Sequence, residues 1–326
     1  MAIATAVVGA ATACGDSDGE ESPRPGGAPT ASASPASAAG RLSVVTTIAQ
    51  ITALAREVGG ERIDLHGLVP PGADSHAFEP VAEDLVAVEN ADLILRHGVG
   101  LDDWLDDTLS AARDATVVTV TDGIELRPPA LQAEGEHDGE DGAGDHGDVD
   151  PHVWLDPERA KQMVDNIAEA LAAADPAGAD TYRANAAAYN AVLDDAAAEA
   201  RALIDEIPEQ DRKIVTNHDG FGYFAEAFGL EVVGAVIPSS TTGAEPSAQE
   251  TAGLLRLIRE EGVKAIFAES SVNSDLAETL ARDAGVRIVD DLYVDALGEP
   301  GSGADTVDGV IVVNAQKVHE ALGAGP

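Results

Sequence analysis

The sequence predicts an α/β protein made of two parallel-sheet lobes joined by a long linking helix. Three observations predict it. Short β-branched runs alternate with stretches of helical period between residues 42 and 120. The same alternation returns between residues 213 and 290. Between the two blocks lies an alanine-rich helical pattern over residues 179–207, about 40 Å long at 1.5 Å per residue. Strands that alternate with helices imply parallel sheets covered by those helices.

The first block opens with the strand Leu42-Ser43-Val44-Val45-Thr46-Thr47. Ile48, Ile51, Leu54, Ala55 and Val58 follow at helical spacing, and Gly59-Gly60 ends the helix. Residues 63–69 form a second strand, broken by Pro70-Pro71-Gly72. A loop then carries Asp74-Ser75-His76, ahead of a helix through Leu85 and Val88. A strand over 91–95, a helix around Trp104 and Leu105, and a strand over 116–120 complete the block. Residues 125–149 lose the pattern; they are acidic, glycine-rich and include His137 and His146, the composition of a surface loop.

Asp150-Pro151-His152-Val153-Trp154-Leu155-Asp156-Pro157 follows. Each proline fixes its own φ and pushes its predecessor to an extended conformation, so the histidine is held in a stiff turn. Asp156, Pro157 and Glu158 supply an N-cap, a first helical residue and a first-turn acid. Met163, Val164, Ile167 and Leu171 mark that helix, and Asp175-Pro176-Ala177-Gly178 punctuates it. Tyr182, Tyr189, Leu193, Ala196, Ala200 and Leu203 mark the long helix.

The second block has strands over 213–216, 231–237, 265–268 and 286–290. Helices lie over 221–228, around Leu254 and Ile258, and over 275–284, with a closing helix over 307–322. The expected organisation is therefore 1–14 a signal, 15–40 a tether, 41–178 a first lobe, 179–207 the linking helix, and 208–326 a second lobe.

The formal net charge of −40 comes from 59 acidic and 19 basic side chains. That excludes nucleic acid as a partner, because its binding needs Lys and Arg against phosphate. It also disfavours an anionic lipid surface. Cys14 is the one cysteine, so neither an intrachain disulfide nor a cysteine-based zinc cluster can form. The apolar, small-residue run ahead of Cys14 resembles a bacterial lipoprotein signal, although Ala11 stands at −3 and no basic residue precedes the run. Residues 15–40 hold Gly, Ser, Pro, Ala and acids, a composition that cannot bury a core. A globular part tethered by an N-terminal lipid is the expectation.

Of eight histidines, His66, His97 and His319 are expected to be surface or internally satisfied side chains. His76, His152 and His218 lie in loops near strand ends, where α/β sheets gather ligands. Asp295 lies just beyond another strand. If brought together, three imidazoles and a carboxylate make a four-coordinate site in the cleft between the lobes. Zinc accepts such tetrahedral nitrogen and oxygen donors. Manganese favours a second carboxylate in place of a histidine. With all four positions filled by protein there is no open position for catalysis. Spacing alone leaves a second reading open, in which the four are unrelated loop residues. Glu269 ends a strand and is either a carboxylate that orients a histidine or a solvated one.

Five motifs in order resemble one family. They are Asp74-Ser75-His76-Ala77-Phe78-Glu79-Pro80, Gly98-Val99-Gly100-Leu101-Asp102-Asp103-Trp104-Leu105, the His152 motif, His218-Asp219-Gly220-Phe221-Gly222-Tyr223-Phe224, and Asp295-Ala296-Leu297-Gly298. The sequence is similar to the solute-binding proteins of zinc and manganese ABC transporters, specifically the zinc-uptake, ZnuA-like branch. The resemblance runs from about Leu42 to the C-terminus. It implies that His76, His152, His218 and Asp295 are metal ligands and that the long helix is a rigid spine. It implies capture of zinc for a membrane permease and its ATPase, by a monomer on the outer face of the cell membrane. The acidic loop stands where zinc-specific members carry a histidine-rich one; His137 and His146 are its accessory candidates. A carboxylate is frequent in manganese-type relatives where this chain has His218. Manganese or broad divalent-metal binding is the alternative, and a surface adhesin a further one. A zinc hydrolase lacks support, since no His-Glu-x-x-His, Gly-x-Ser-x-Gly or phosphate-binding glycine loop occurs.

Overall fold

Each lobe is built on a parallel sheet whose strands end at one shared edge. A computed structural model describes residues 40–109, 112, 115–131 and 149–323. The first lobe contains β1 (Leu42–Thr46), β2 (Ile63–Gly67), β3 (Leu93–Arg96) and β4 (Thr116–Thr119) in the order β2-β1-β3-β4, all parallel. The second contains β5 (Lys213–His218), β6 (Glu231–Ile237), β7 (Ala265–Glu269) and β8 (Arg287–Leu292) in the order β6-β5-β7-β8, again parallel. Both orders reverse direction beside the first strand, which opens a crevice at the carboxyl ends of the strands. The expected signal, most of the tether, and His137 and His146 lie outside the described residues.

Helices α1 (Ala49–Gly59), α2 (Ala82–Glu89) and α4 (Pro157–Ala174) belong to the first lobe. The expected helix around Trp104 is a 3₁₀ turn, Asp103–Leu105, leading into a single helical turn, α3 (Asp106–Leu109). Helices α6 (Gly222–Phe228), α7 (Ala248–Glu260), α8 (Asp275–Ala284) and α9 (Val307–Leu322) belong to the second.

The long helix α5 (Ala179–Asp205) has 27 residues and ends just short of the expected boundary. Tyr182, Ala186, Tyr189, Leu193, Ala196, Ala200 and Ile204 form one buried stripe at three- and four-residue spacing. The stripe packs along α1, α4 and α9, so the helix is embedded in both lobes rather than spanning open space. Its polar contacts divide the same way. Asn185 Nδ2 donates to Val58 O of the first lobe at 2.9 Å, and Tyr189 Oη donates to Asp308 Oδ1 of α9 at 2.7 Å. One hydrophobic core accordingly runs from β1, α1 and α4 through α5 to α6, β7 and α9. Smaller cores fill the outer side of each lobe.

The entry to α4 forms as its sequence dictates. Asp156 accepts from Glu158 N at 2.7 Å and Arg159 N at 3.3 Å, with Pro157 as the first helical residue. Asp156 also pairs with the Arg159 guanidinium. Because this cap starts the helix that leaves the His152 turn, Asp156→Ala should lower global stability by about 1–2 kcal/mol. Denaturant unfolding measures it, and a loss below a few tenths would show that the cap contributes nothing.

Candidate metal centre

The shared strand edge brings His76, His152, His218 and Asp295 together, with one ligand-type atom from each lying within 4.8 Å of the others. His76 Nε2 is 3.3 Å from His152 Nε2, which is 3.2 Å from His218 Nε2. Asp295 Oδ1 is 3.0 Å from His152 Nε2 and 3.4 Å from His76 Nε2. Its Oδ2 is 3.5 Å from His218 Nε2, is buried, and has no hydrogen-bond partner among the described residues. His152, His218 and Asp295 are fully buried; the His76 side chain retains 9% exposure.

Different elements place the four. His76 lies in the loop between β2 and α2, and its N–H donates to Asp74 Oδ1 at 2.8 Å. His152 caps the 3₁₀ turn Val153–Leu155. Asp150 Oδ1 accepts from both the His152 N–H (3.0 Å) and Nδ1 (2.7 Å), which directs Nε2 into the cluster. His218 is the last residue of β5 rather than a loop residue, because the strand continues two residues past its apolar run. Glu269, the last residue of β7, bonds His218 Nδ1 and is itself buried. Asp295 follows β8 in a turn fastened to the first lobe. Gln50 Nε2 donates to Asp295 O at 3.0 Å, Ser75 Oγ to the same oxygen at 3.2 Å, and Trp154 Nε1 to Val294 O at 3.1 Å.

Burial disfavours a charged His152, yet Asp295 and Asp150 outweigh it and push its pKa up to about 10. Burial likewise opposes charge on His218, and the adjoining Glu269 and Asp295 raise it. Burial alone would raise Asp295, but His76, His218 and His152 hold it well below the usual carboxylate range. The cluster is thus a sink for positive charge, whether protons or a cation.

Several contributors carry weaker signals in the sequence. A Cβ at Gly220 would stand 2.5 Å from His218 Nε2 and 3.0 Å from His152 Cε1, so no larger residue fits beside the cluster. Asp150 and Asp74 each precede a histidine by two residues, the spacing at which an Asp side chain accepts the backbone N–H. That repeated Asp-x-His pattern was legible. His97, set aside as surface or satisfied, is fully buried and donates from Nε2 to Pro151 O at 2.8 Å, which steadies the His152 turn. Burial holds its pKa down at about 4, so it stays neutral. His66 pairs with Asp84 and His319 with Glu206, away from the cluster.

The family described as "Zinc-uptake complex component A periplasmic" matches residues 44–321. The iron ABC transporter substrate-binding lipoprotein MtsA of Streptococcus pyogenes is 32% identical over 289 residues, 86% of this chain and 89% of that protein. The manganese-binding lipoprotein MntA of Halalkalibacterium halodurans is 34% identical over 265 residues, 81% and 83% respectively. Among solved structures, the periplasmic zinc binding protein TroA from Treponema pallidum superposes with a TM-score of 0.76 at 30% identity, covering 87% of this chain and all of that one. Its two-lobed frame is the one seen here, with the cluster between the lobes. With a match over nearly all of its folded length, the chain belongs to the ZnuA family of periplasmic metal-binding proteins, which are solute-binding components of ABC transporters and not enzymes.

Proposed function

We propose that this solute-binding protein captures zinc through His76, His152, His218 and Asp295 and delivers it to the permease and ATPase of its importer. The convergence of three Nε2 atoms on one carboxylate carries this reading. Five separations among these groups, 3.0–3.5 Å and counting both Asp295 oxygens, lie near the edge of about 3.3 Å between ligands of a tetrahedral zinc with bonds near 2.0–2.1 Å. Asp150 and Glu269 serve as positioning carboxylates that keep Nε2 of His152 and His218 toward the ion. Asp295 Oδ2, buried and without a hydrogen-bond partner among the described residues, is free to join the coordination shell.

Manganese is the second reading. Relatives at 34% and 30% identity are named for manganese, and a bidentate Asp295 would suit an ion that favours oxygen. Three neutral nitrogens against one carboxylate favour zinc. Parallel titrations of the metal-stripped protein with zinc and manganese decide between them. We expect one tight zinc equivalent, far weaker manganese, and a narrowed preference in His218→Glu. Equal affinities would move the assignment to a broad carrier, and no tight binding of either would end the four-ligand reading. In the same titration, deleting residues 132–148 should slow loading yet leave the tight affinity nearly unchanged, as suits a weak ligand pool at His137 and His146.

Proton linkage supplies an independent check. Metal-free His152, with its pKa near 10, is protonated at neutral pH, and zinc must displace that proton from Nε2. Apparent affinity therefore weakens as pH falls, by about one decade per pH unit for each proton released. Calorimetry in buffers of different ionisation enthalpy should show that release at pH 7; zinc uptake without it would mean the empty site carries no such proton.

The protein is placed outside the cytoplasmic membrane, held there by lipid on Cys14 and acting as a monomer. Relatives named as lipoproteins support the lipid anchor; separately, among the described residues no helix is long and apolar enough to cross a membrane. Cys14→Ser should move the chain from the membrane fraction to the soluble one; retention in the membrane would count against the lipid anchor.

A further inference from the structure

The two Asp-x-His turns use their carboxylates differently. Asp150 spends one oxygen on its own histidine, at both the backbone N–H and Nδ1. Asp74 accepts only the His76 N–H, at 2.8 Å, and turns its other oxygen outward. There it accepts a hydrogen bond of 2.6 Å from Thr242 Oγ1, in the loop between β6 and α7 of the opposite lobe. That loop also holds the His218 side of the cluster, since Asp219 N donates to Ser239 O at 2.9 Å. A bonded path thus leads from His76 through Asp74 and Thr242 to the residue beside His218 without passing through the ion.

The four candidate ligands are not equally held. His152 and His218 each have a buried carboxylate on Nδ1, and the Asp295 turn is bonded to Gln50, Ser75 and, through Val294 O, Trp154. Among the described residues no carboxylate is bonded to Nδ1 of His76, and its side chain is the most exposed of the four. The buried cross-lobe bonds fasten the Asp295 turn. Thr242 to Asp74 is a part-buried one, reaching the ligand with the most freedom.

We propose that Thr242 and Asp74 are positioning residues that latch His76 across the cleft and set how long the metal is retained. When Thr242 bonds Asp74, the backbone of His76 is fixed and Nε2 stays in coordination range. When that bond breaks, His76 leaves first, and the ion remains on the three better-held groups, open toward solvent on the His76 side. Release to a permease then begins by parting this one hydrogen bond. The inference rests on the four-ligand reading above.

Stopped-flow zinc release into excess chelator tests it on the full chain. Thr242→Val keeps the side chain's shape and removes its donor. It should speed release about tenfold, the low end of the effect of losing one hydrogen bond to a charged acceptor, with one zinc still bound. Thr242→Ser, which keeps the hydroxyl, should restore the slow rate. Asp74→Ala should also speed release, and adding Thr242→Val to it should change little more, since the two act through one bond. An unchanged rate in Thr242→Val, equal acceleration in the serine variant, or fully additive effects would overturn the latch. So would a fall in the metal-free unfolding midpoint shared by the valine and serine variants, which would mark Thr242 as a packing residue. Absence of tight zinc in the unaltered protein would instead sink the ligand assignment itself, a result distinguishable from a latch that fails in a protein that binds normally.

Discussion

A fully buried carboxylate facing three imidazole nitrogens is the constraint on which the rest of the structure depends. Removing an anion such as Asp295 from water costs several kcal/mol unless positive charge accompanies it. Protons on the histidines or a metal ion at their centre can each supply that charge, and they compete for the same nitrogens. The surrounding contacts keep that competition confined. Asp150 and Glu269 occupy Nδ1 of two rings, leaving Nε2 as the reactive atom. Gln50, Ser75 and Trp154 hold backbone carbonyls of the Asp295 turn, so the carboxylate is aimed by the opposite lobe rather than by its own strand.

That cross-lobe aiming is possible because the lobes are not separate bodies strung on a rod. The stripe of α5 is buried along its length, against α1 and α4 on one side and α9 on the other. Alanines at 186, 196 and 200 let neighbouring helices approach closely, and two tyrosines anchor the stripe's first half through their hydroxyls. The shared core ties the two lobes together along α5.

Much of this was legible in the sequence, for identifiable reasons. Alternating strand and helix patterns revealed both sheets, because buried parallel strands are nearly continuous apolar runs. The α5 stripe followed from three- and four-residue spacing, and the start of α4 from Asp156-Pro157. The ends of strands were less legible. β5 continues through Asn217 and His218, polar residues whose burial is set by the tertiary structure around them. Glu269 was undecidable for the same reason, since burial belongs to the tertiary structure and no local pattern reports it. His97 was set aside because nothing near it in sequence reveals a bond to Pro151. Thr242 lies in a run of small polar residues that carries no signal at all; its partner is 168 positions away.

Gly220 carries one more consequence. A Cβ there would stand 2.5 Å from His218 Nε2 and 3.0 Å from His152 Cε1, so bare backbone has to pass both rings, and any side chain at that position would displace the two imidazoles. Three imidazoles and one carboxylate offer little to magnesium, which dehydrates reluctantly and favours octahedral oxygen.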